Sequence, residues 1–277
     1  MSSGTRLLQE VEISLLMEGL YRVYGYDFRN FSPAFLKKRI KAFCQIENIS
    51  TISALQDRVL HHEKTLHEFV ETLTLSSVSM FREPQFYQAL RDEVLPLMAD
   101  MPLIRIWQAA CSTGQEAYSL AILLEEEGLY DRCRIYATDA NDSSLKRARQ
   151  GFLPMSAMRQ YTENYVNAGG KQAFSQYYTA NYDSAKLTPT LQRNIIFGKH
   201  NLASDGFFNE FHLVLLRNVL VNYNEHLREH VLGLVHESMS SSGILALGQW
   251  ETLKATGIEK SYKELDASQK LYRRYCA

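Results

Sequence analysis

The stretch from Ile104 to Asp142, IRIWQAACSTGQEAYSLAILLEEEGLYDRCRIYATDAND, constrains the fold more than any other part of the chain. An apolar run, a tight turn, an amphipathic helix and a second apolar run ending in an acidic residue spell the opening βαβ unit of a nucleotide-binding α/β domain. The turn AACSTGQE holds a single glycine, whereas a dinucleotide-binding turn uses several so that the backbone can approach a pyrophosphate. The scarcity points to a ligand without phosphates. S-Adenosylmethionine suits such a turn better than NAD does.

Size and composition narrow the class further. A chain of 277 residues can form one large domain or a domain with a smaller partner. The net charge of −1 gives no global attraction for nucleic acid, so any basic surface must be local. No apolar run is long enough to span a bilayer, and the start MSSGTRLLQEVE lacks a signal peptide's apolar segment. The expected setting is cytoplasmic and not membrane-inserted. Cys44, Cys111, Cys133 and Cys276 form no CxxC pair, so reduced thiols are expected. The histidines form no HExxH and no spaced Cys/His set, so no metal is expected. GxSxG and P-loop motifs are absent as well.

Roughly the first 80 residues read as a small all-helical domain. Ile13, Leu16, Leu20 and Val23 fall on one helical face. Ser32-Pro33 starts a second helix, with serine as N-cap and proline in the first helical position, and Leu36, Ile40 and Phe43 form its stripe. Ile52, Leu55 and Val59 mark a third helix, and Leu66, Phe69, Val70 and Leu73 a fourth. SSVSMFREP (Ser76 to Pro84) reads as the junction, and a connecting helix from Pro84 to Met98 completes a linker over 81–100. From 101 to 277 the pattern is α/β. Strands are expected at Ile104–Ala109, Arg134–Thr138, Asn194–His200, His212–Leu216 and Gly243–Gly248. Helices are expected at Gln115–Glu127, Ser143–Gln150 and His226–Ser240, and YKELDASQKLYRRY reads as a hairpin closing an antiparallel edge of the sheet. The segment 151–193 leaves room for a small subdomain but reads as helical turns and loops.

Several side chains offer chemistry. Glu116 has two readings: Thr113-Gly-Gln-Glu116 fits a capping box, which spacing alone favours, and the same carboxylate lies where a ligand would sit. Asp139 ends the second strand, where an acidic side chain accepts hydrogen bonds from ribose hydroxyls. Asn141 or Asp142 is better placed to cap the following helix. Arg29, Lys37, Lys38, Arg39 and Lys41 occur with no acidic residue between Phe28 and Ile46. Lys37, Lys38 and Lys41 fall opposite the apolar stripe, as a solvated face or as a dock for an acidic partner. Arg82 could orient a carboxylate through its fork or form an ordinary ion pair.

With these residues in place, the chain resembles the CheR-type chemotaxis receptor methyltransferases, which use S-adenosylmethionine to methylate glutamate side chains on chemoreceptors. The helical start, MFREP, ACSTGQEAYS, YATDAN, KHNL, LRNVLVNY and the final hairpin carry the resemblance over nearly the whole chain. It implies a Rossmann-like S-adenosylmethionine-dependent methyltransferase domain behind a small N-terminal all-helical domain. It implies that Arg82 sits near the donor's carboxylate and sulfonium end, that Glu116 contacts the cofactor, and that Asp139 binds ribose and adenosine. Asn201-Leu202 and Asn218-Val219 would line the adenine and methionine ends. Lys37, Lys38, Arg39 and Lys41 would form the receptor-contacting helix, meeting an acidic helical segment of a methyl-accepting chemoreceptor's cytoplasmic domain.

The chain also departs from the family pattern. Ser76-Ser77-Val78 stands where the family has Asn-x-Thr, so the implied cofactor contacts at Ser76 and Val78 are weakened. Gln115 replaces the first acidic residue of the turn, and Val221-Asn222-Tyr223 replaces the usual Ile-Tyr-Phe. One lost hydrogen bond that strands a buried partner costs about 1–3 kcal/mol, so donor affinity would fall about tenfold. Family members that hold a receptor's C-terminal pentapeptide use a small β-subdomain near Gly151–Arg193, where no three-stranded pattern is legible.

The expected reaction is transfer of methyl from S-adenosylmethionine to a glutamate carboxylate, leaving S-adenosylhomocysteine. Arg82 is the expected positioning group at the reacting centre, with Tyr223 or Asn222 beside it. A competing reading is a regulatory or scaffold module that binds the cofactor with weak or no transferase activity, motivated by Ser76, Val78 and Asn222. A nicotinamide-dependent dehydrogenase is disfavoured by the glycine-poor turn.

Overall fold

The computed structural model describes residues 3–74 and 78–275; Ser76, Ser77 and Cys276 lie outside the described residues. The chain divides into two compact units, Met1–Leu75 with Val221–His230, and Ser76–Leu220 with Val231–Ala277.

The first unit is helical: α1 (Ser3–Tyr24), α2 (Pro33–Ile46), α3 (Ile52–His61) and α4 (Glu63–Thr74). Its core joins Ile13, Leu16, Met17 and Leu20 to Leu36, Ile40, Phe43, Leu55, Val59, Leu66 and Phe69. The stripes read from spacing on α2, α3 and α4 are the buried faces. Val23 is a correction, since it is 60% exposed. At 100° per residue Tyr24 lies nearer the centre of the α1 stripe, and its hydroxyl donates to the Leu60 carbonyl at 2.9 Å. Ser32 and Pro33 start α2 as expected, although the Ser32 side chain makes no capping hydrogen bond. Its N–H instead donates to the Asn222 carbonyl at 2.8 Å, beside a bridge between Phe31 and Tyr223. Thr51 does cap α3, accepting from the Ala54 N–H at 3.0 Å.

The second unit begins with α5 (Pro84–Ala89), which continues as a π turn over Leu90–Val94 and a 3-10 turn over Leu95–Met98. The regular ladder expected up to Met98 breaks because Pro96 has no N–H to donate and its ring crowds the carbonyl four residues earlier. The chain then runs through β1 (Ile104–Ala109), α6 (Gln115–Glu126), β2 (Cys133–Asp139), α7 (Asp142–Gln150), β3 (Phe152–Pro154), α8 (Met158–Asn167), β4 (Tyr178–Ala180) and β5 (Ser184–Leu187). It ends with β6 (Ile195–Lys199), β7 (Phe211–Leu216), α9 (Glu225–Glu237), β8 (Met239–Leu247), β9 (Tyr262–Asp266) and β10 (Leu271–Arg274).

These strands make a seven-stranded sheet in the order β6-β2-β1-β7-β8-β10-β9. The strands from β6 to β8 are parallel, and the β9–β10 hairpin closes the far edge antiparallel, as the tail predicts. The order reverses between β1 and β7, which makes that point the topological switch of the sheet.

Two expectations are corrected here. Segment 151–193 is not only turns and loops: β3, β5 and β4 form a separate three-stranded antiparallel sheet, and α8 lies between β3 and β4. Strands of three or four residues carry too few positions for alternation to register. Helix α6 is not amphipathic, since every residue from Ala117 to Leu124 is buried. The sheet covers one side. On the other, the Tyr118 hydroxyl reaches the Ala148 carbonyl at 2.8 Å, and Glu126 accepts from the hydroxyls of Tyr165 and Tyr177.

Candidate functional site

In open α/β sheets, ligands bind beyond the carboxyl ends of the strands at the switch point. The carboxyl ends of β1, β2, β6 and β7 lead into Ala110–Gly114, Asp139, Asn201 and Asn218, so the glycine-poor turn and three of the sequence-predicted site residues share one edge of the sheet.

The turn after β1 is held in a demanding conformation. Ala110 (φ 56°), Ser112 (φ 49°) and Gly114 (φ 88°) are all left-handed, and such backbone costs a residue other than glycine roughly 1–2 kcal/mol. Gly114 is the position where another residue would be strained twice over, by its backbone and because a Cβ there would lie 3.0 Å from the Cβ of Ala148. The compensation comes from β2. The Cys111 N–H donates to the Thr138 carbonyl, and the Ser112 N–H to Asp139 Oδ2, both at 2.8 Å.

Asp139 is thus part of the turn's scaffold as well as its acidic edge. It is 7% exposed, and its Oδ1 accepts from the Asn141 N–H at 2.8 Å. Burial pushes its carboxyl above the ordinary value of 3.8, against the opposing pull of the N–H donors of Asn141 and Ser112. The Asn141 side chain caps α7, accepting from the N–H groups of Ser143 and Ser144. That leaves Asp139 out of the capping role.

Glu116 does not close a capping box. Gly114 occupies the N-cap of α6 in a left-handed conformation, which starts the helix one residue later than Thr113 would need. Thr113 Oγ1 donates to Gln115 Oε1 at 2.7 Å. The Glu116 carboxylate accepts from Gln108 Nε2 at 3.1 Å and pairs with Arg217 Nη1. Arg217 Nη2 pairs with Glu83 Oε2 at 2.6 Å, and its guanidinium lies 3.6 Å from the centre of the Phe86 ring. Its side chain is 1% exposed. Burial opposes its charge, yet the Glu116 and Glu83 carboxylates outweigh burial and hold Arg217 above its ordinary value.

Arg82, between Phe81 and Glu83, is 41% exposed, with Nε 3.6 Å from Glu83 Oε1. Val78 is half-buried. Asn201 sits in a turn after β6, where its Oδ1 accepts from the Ala203 N–H at 3.0 Å and Leu202 is buried. Asn218 is left-handed (φ 61°). Its N–H and that of Val219 donate to Glu251 at 2.9 and 2.8 Å, and the Gly248 N–H joins them at 2.6 Å.

Tyr223 belongs to the first unit, on the Val221–His230 segment, with its ring edge-on to Phe31 at 5.0 Å. On α2, Lys37, Lys38 and Lys41 are exposed, whereas Arg39 is half-buried with its guanidinium 5.3 Å from the Phe35 ring centre. Burial lowers its pKa.

Four residues at this edge escape sequence reasoning: Gln108, Glu83, Arg217 and Glu251. A charged residue directly after the apolar strand FHLVLL is the visible signal for Arg217. Its partners lie about a hundred residues away, so spacing cannot reveal them. Gln108 Oε1 and Ser112 Oγ are buried without a protein hydrogen-bond partner. Buried acceptors of this kind ask for a ligand or water, and with the Asp139 carboxylate they suit a ligand bearing hydroxyl and ammonium groups. Among the described residues no cluster of His, Cys, Asp and Glu could hold a metal ion, and no helix is long and apolar enough to cross a membrane.

The family profile described as "CheR methyltransferase, SAM binding domain", SAM being S-adenosylmethionine, matches residues 76–270, and "CheR methyltransferase, all-alpha domain" matches residues 12–74. The chain belongs to the CheR methyltransferase family. Its fold is the Rossmann-like methyltransferase domain of that family with the all-helical N-terminal domain. Cher3 of Pseudomonas putida is 44% identical over 265 residues, covering 96% of this chain and 97% of that protein. The chemotaxis protein methyltransferase of Listeria monocytogenes is 27% identical over 84% of this chain and 86% of that protein. Chemotaxis protein methyltransferase 1 of Pseudomonas aeruginosa is 26% identical over 84% and 89%. As a CheR-family member the chain is an S-adenosylmethionine-dependent methyltransferase.

Proposed function

We propose that this CheR-type chain forms methyl esters on glutamate side chains in the cytoplasmic helices of a chemoreceptor. The observation that carries the reading is the switch-point edge. There a buried aspartate held by two backbone N–H groups stands beside buried acceptors that lack protein partners, in a chain that matches the family's S-adenosylmethionine-binding domain. Asp139 would accept from the ribose hydroxyls, Glu116 and Gln108 would face the donor's ammonium, and Arg82 its carboxylate. Asn201-Leu202 and Asn218-Val219 would line the adenine and methionine ends. The names of the Listeria and P. aeruginosa relatives support chemotaxis as the setting.

S-Adenosylmethionine, when bound, supplies an electrophilic methyl group on a sulfonium. A glutamate side chain titrates near 4.3, so it reaches neutral pH as a carboxylate and needs no general base. The protein's work is therefore alignment and exclusion of water. Arg82, at the donor's methionine end, would help position the reacting groups. The exposed lysines Lys37, Lys38 and Lys41, together with Arg39 on α2, would dock an acidic receptor helix by charge complementarity. The β3-β5-β4 sheet supplies the kind of element a receptor tether would use.

The test is incubation with methyl-labelled donor and a receptor cytoplasmic fragment, followed by treatment with base. Carboxyl methyl esters release labelled methanol, whereas N-methyl groups do not. Release is the expected result, and it should fall in Arg82→Ala at least as much as donor affinity does. Donor binding with no labelled product would overturn the transferase reading in favour of a binding or scaffold module.

A further inference from the structure

Arg82 lies in a stretch of backbone that cannot hold itself. Phe81 (φ 49°) and Glu83 (φ 60°), on either side of it, are both left-handed without being glycine. Such conformations persist only where the surroundings over-determine them, and they concentrate at functional sites. Three anchors are visible. The Phe81 N–H donates to Ser119 Oγ at 2.9 Å, Asn164 Nδ2 donates to the Met80 carbonyl at 2.9 Å, and Arg217 Nη2 holds Glu83 Oε2 at 2.6 Å. The first two fix the chain before Arg82. Arg217 pairs with the residue after it.

Arg217 also connects that residue to the cofactor side. Its other terminal nitrogen pairs with Glu116 in the first turn of α6. Charge therefore alternates along Glu116, Arg217, Glu83 and Arg82, the last pair being 3.6 Å apart. A planar fork can bridge two carboxylates in this way, and lysine cannot reproduce it. With a side chain 1% exposed and covered by the Phe86 ring, Arg217 is screened from a receptor substrate. It acts through its neighbours.

We infer that Arg217 is a positioning residue for methyl transfer, holding Arg82 in place by clamping the adjacent Glu83 to Glu116. The inference rests on the transferase reading above for its catalytic consequence, while the clamp itself is independent of any donor. Two measurements on the full chain separate the two. Amide hydrogen exchange without donor reads the clamp: Arg217→Met should speed exchange at Phe81, and Glu83→Gln, a milder change that keeps volume, should do so to a lesser degree. Unchanged protection at Phe81 in both variants overturns the clamp, even if the wild-type chain transfers methyl.

A double-mutant cycle reads the positioning role. Misplacing a catalytic group by an ångström can cost about 100-fold, so Arg217→Met or Glu83→Gln should lower kcat by up to about 100-fold, beyond any weakening of donor Kd that follows from releasing Glu116 or Arg82. In an Arg82→Ala background the same substitutions should lower kcat by less than about twofold, because coupled residues are not additive. Full additivity, with each variant folded by thermal denaturation, overturns positioning through Arg82 and leaves Arg217 a structural ion pair. Faster exchange at Phe81 combined with no transfer by the wild-type chain would instead sink the transferase reading and leave the clamp standing.

Discussion

The replacement Glu251→Gln isolates one buried carboxylate that organises the Asn218–Val219 turn. Glu251 is 4% exposed. Its Oε2 accepts from Asn218 and Gly248, and its Oε1 from Val219. Glutamine keeps the shape and one carbonyl oxygen, which can still serve Asn218 and Gly248. Those bonds then lose their ionic character, about 1 kcal/mol each, since hydrogen bonds to charged groups are worth roughly 1.5–3 kcal/mol against about 1 for neutral ones. The new NH₂ faces the Val219 N–H, stranding a buried donor at about 1–3 kcal/mol. Relaxation of the turn recovers part of that sum, so the net loss should be about 2–4 kcal/mol. At roughly 2–4 °C per kcal/mol for a chain of this order of size, Tm should drop by about 4–16 °C. Calorimetric unfolding measures the drop, and donor titration should show weaker binding because Asn218 and Val219 are displaced. A Tm within about 1 °C of wild type, with the Asn218 and Val219 amide resonances unmoved, would refute the assignment of Glu251 as the turn's anchor.

Three further outcomes are expected. Burial raises the Asp139 pKa above 3.8, so donor affinity should weaken as pH falls through that raised value, and Asp139→Asn should abolish this acid limb in calorimetric titrations. Stability runs the opposite way: the buried charge carries no cost below the unfolded value and its full cost above the folded one, so this group favours the folded state at acid pH. Gly248→Ala should disturb the same turn as Glu251→Gln, since its Cβ would lie 2.7 Å from the Asn218 nitrogen and 2.8 Å from Glu251 Oε2; solved or NMR-mapped variants should show Asn218 shifted. Reversing Lys37, Lys38 and Lys41 to glutamate should lower kcat/KM on receptor fragments about tenfold or more at low salt and flatten its salt dependence, with donor Kd unchanged in direct titrations.

The parts of the fold legible in the sequence are those whose information is local. The run from Ile104 to Ala109 is an apolar strand closed by a turn, and the observed β1 has those bounds. The stripe Leu36, Ile40 and Phe43 needs only helical spacing, and it is the buried face of α2. The sheet of β3, β5 and β4 escaped because strands this short lack a period. Glu116 shows the opposite failure: its spacing from Thr113 fits a cap, but the left-handed Gly114 takes that position and the distant Arg217 takes the carboxylate. Arg217 and Glu251 are buried charges whose partners are assembled only by the sheet. Their identity as residues could be read, but not what neutralises or satisfies them.

The most direct test of the account is peptide mapping of a chemoreceptor cytoplasmic fragment after incubation with this chain and S-adenosylmethionine. The predicted result is a single added methyl on glutamate side chains of a helical segment, removed by mild alkali and strongly reduced with Asp139→Ala. Methyl found on lysine or arginine nitrogen, or a donor-bound chain that leaves every glutamate unmodified, would contradict it.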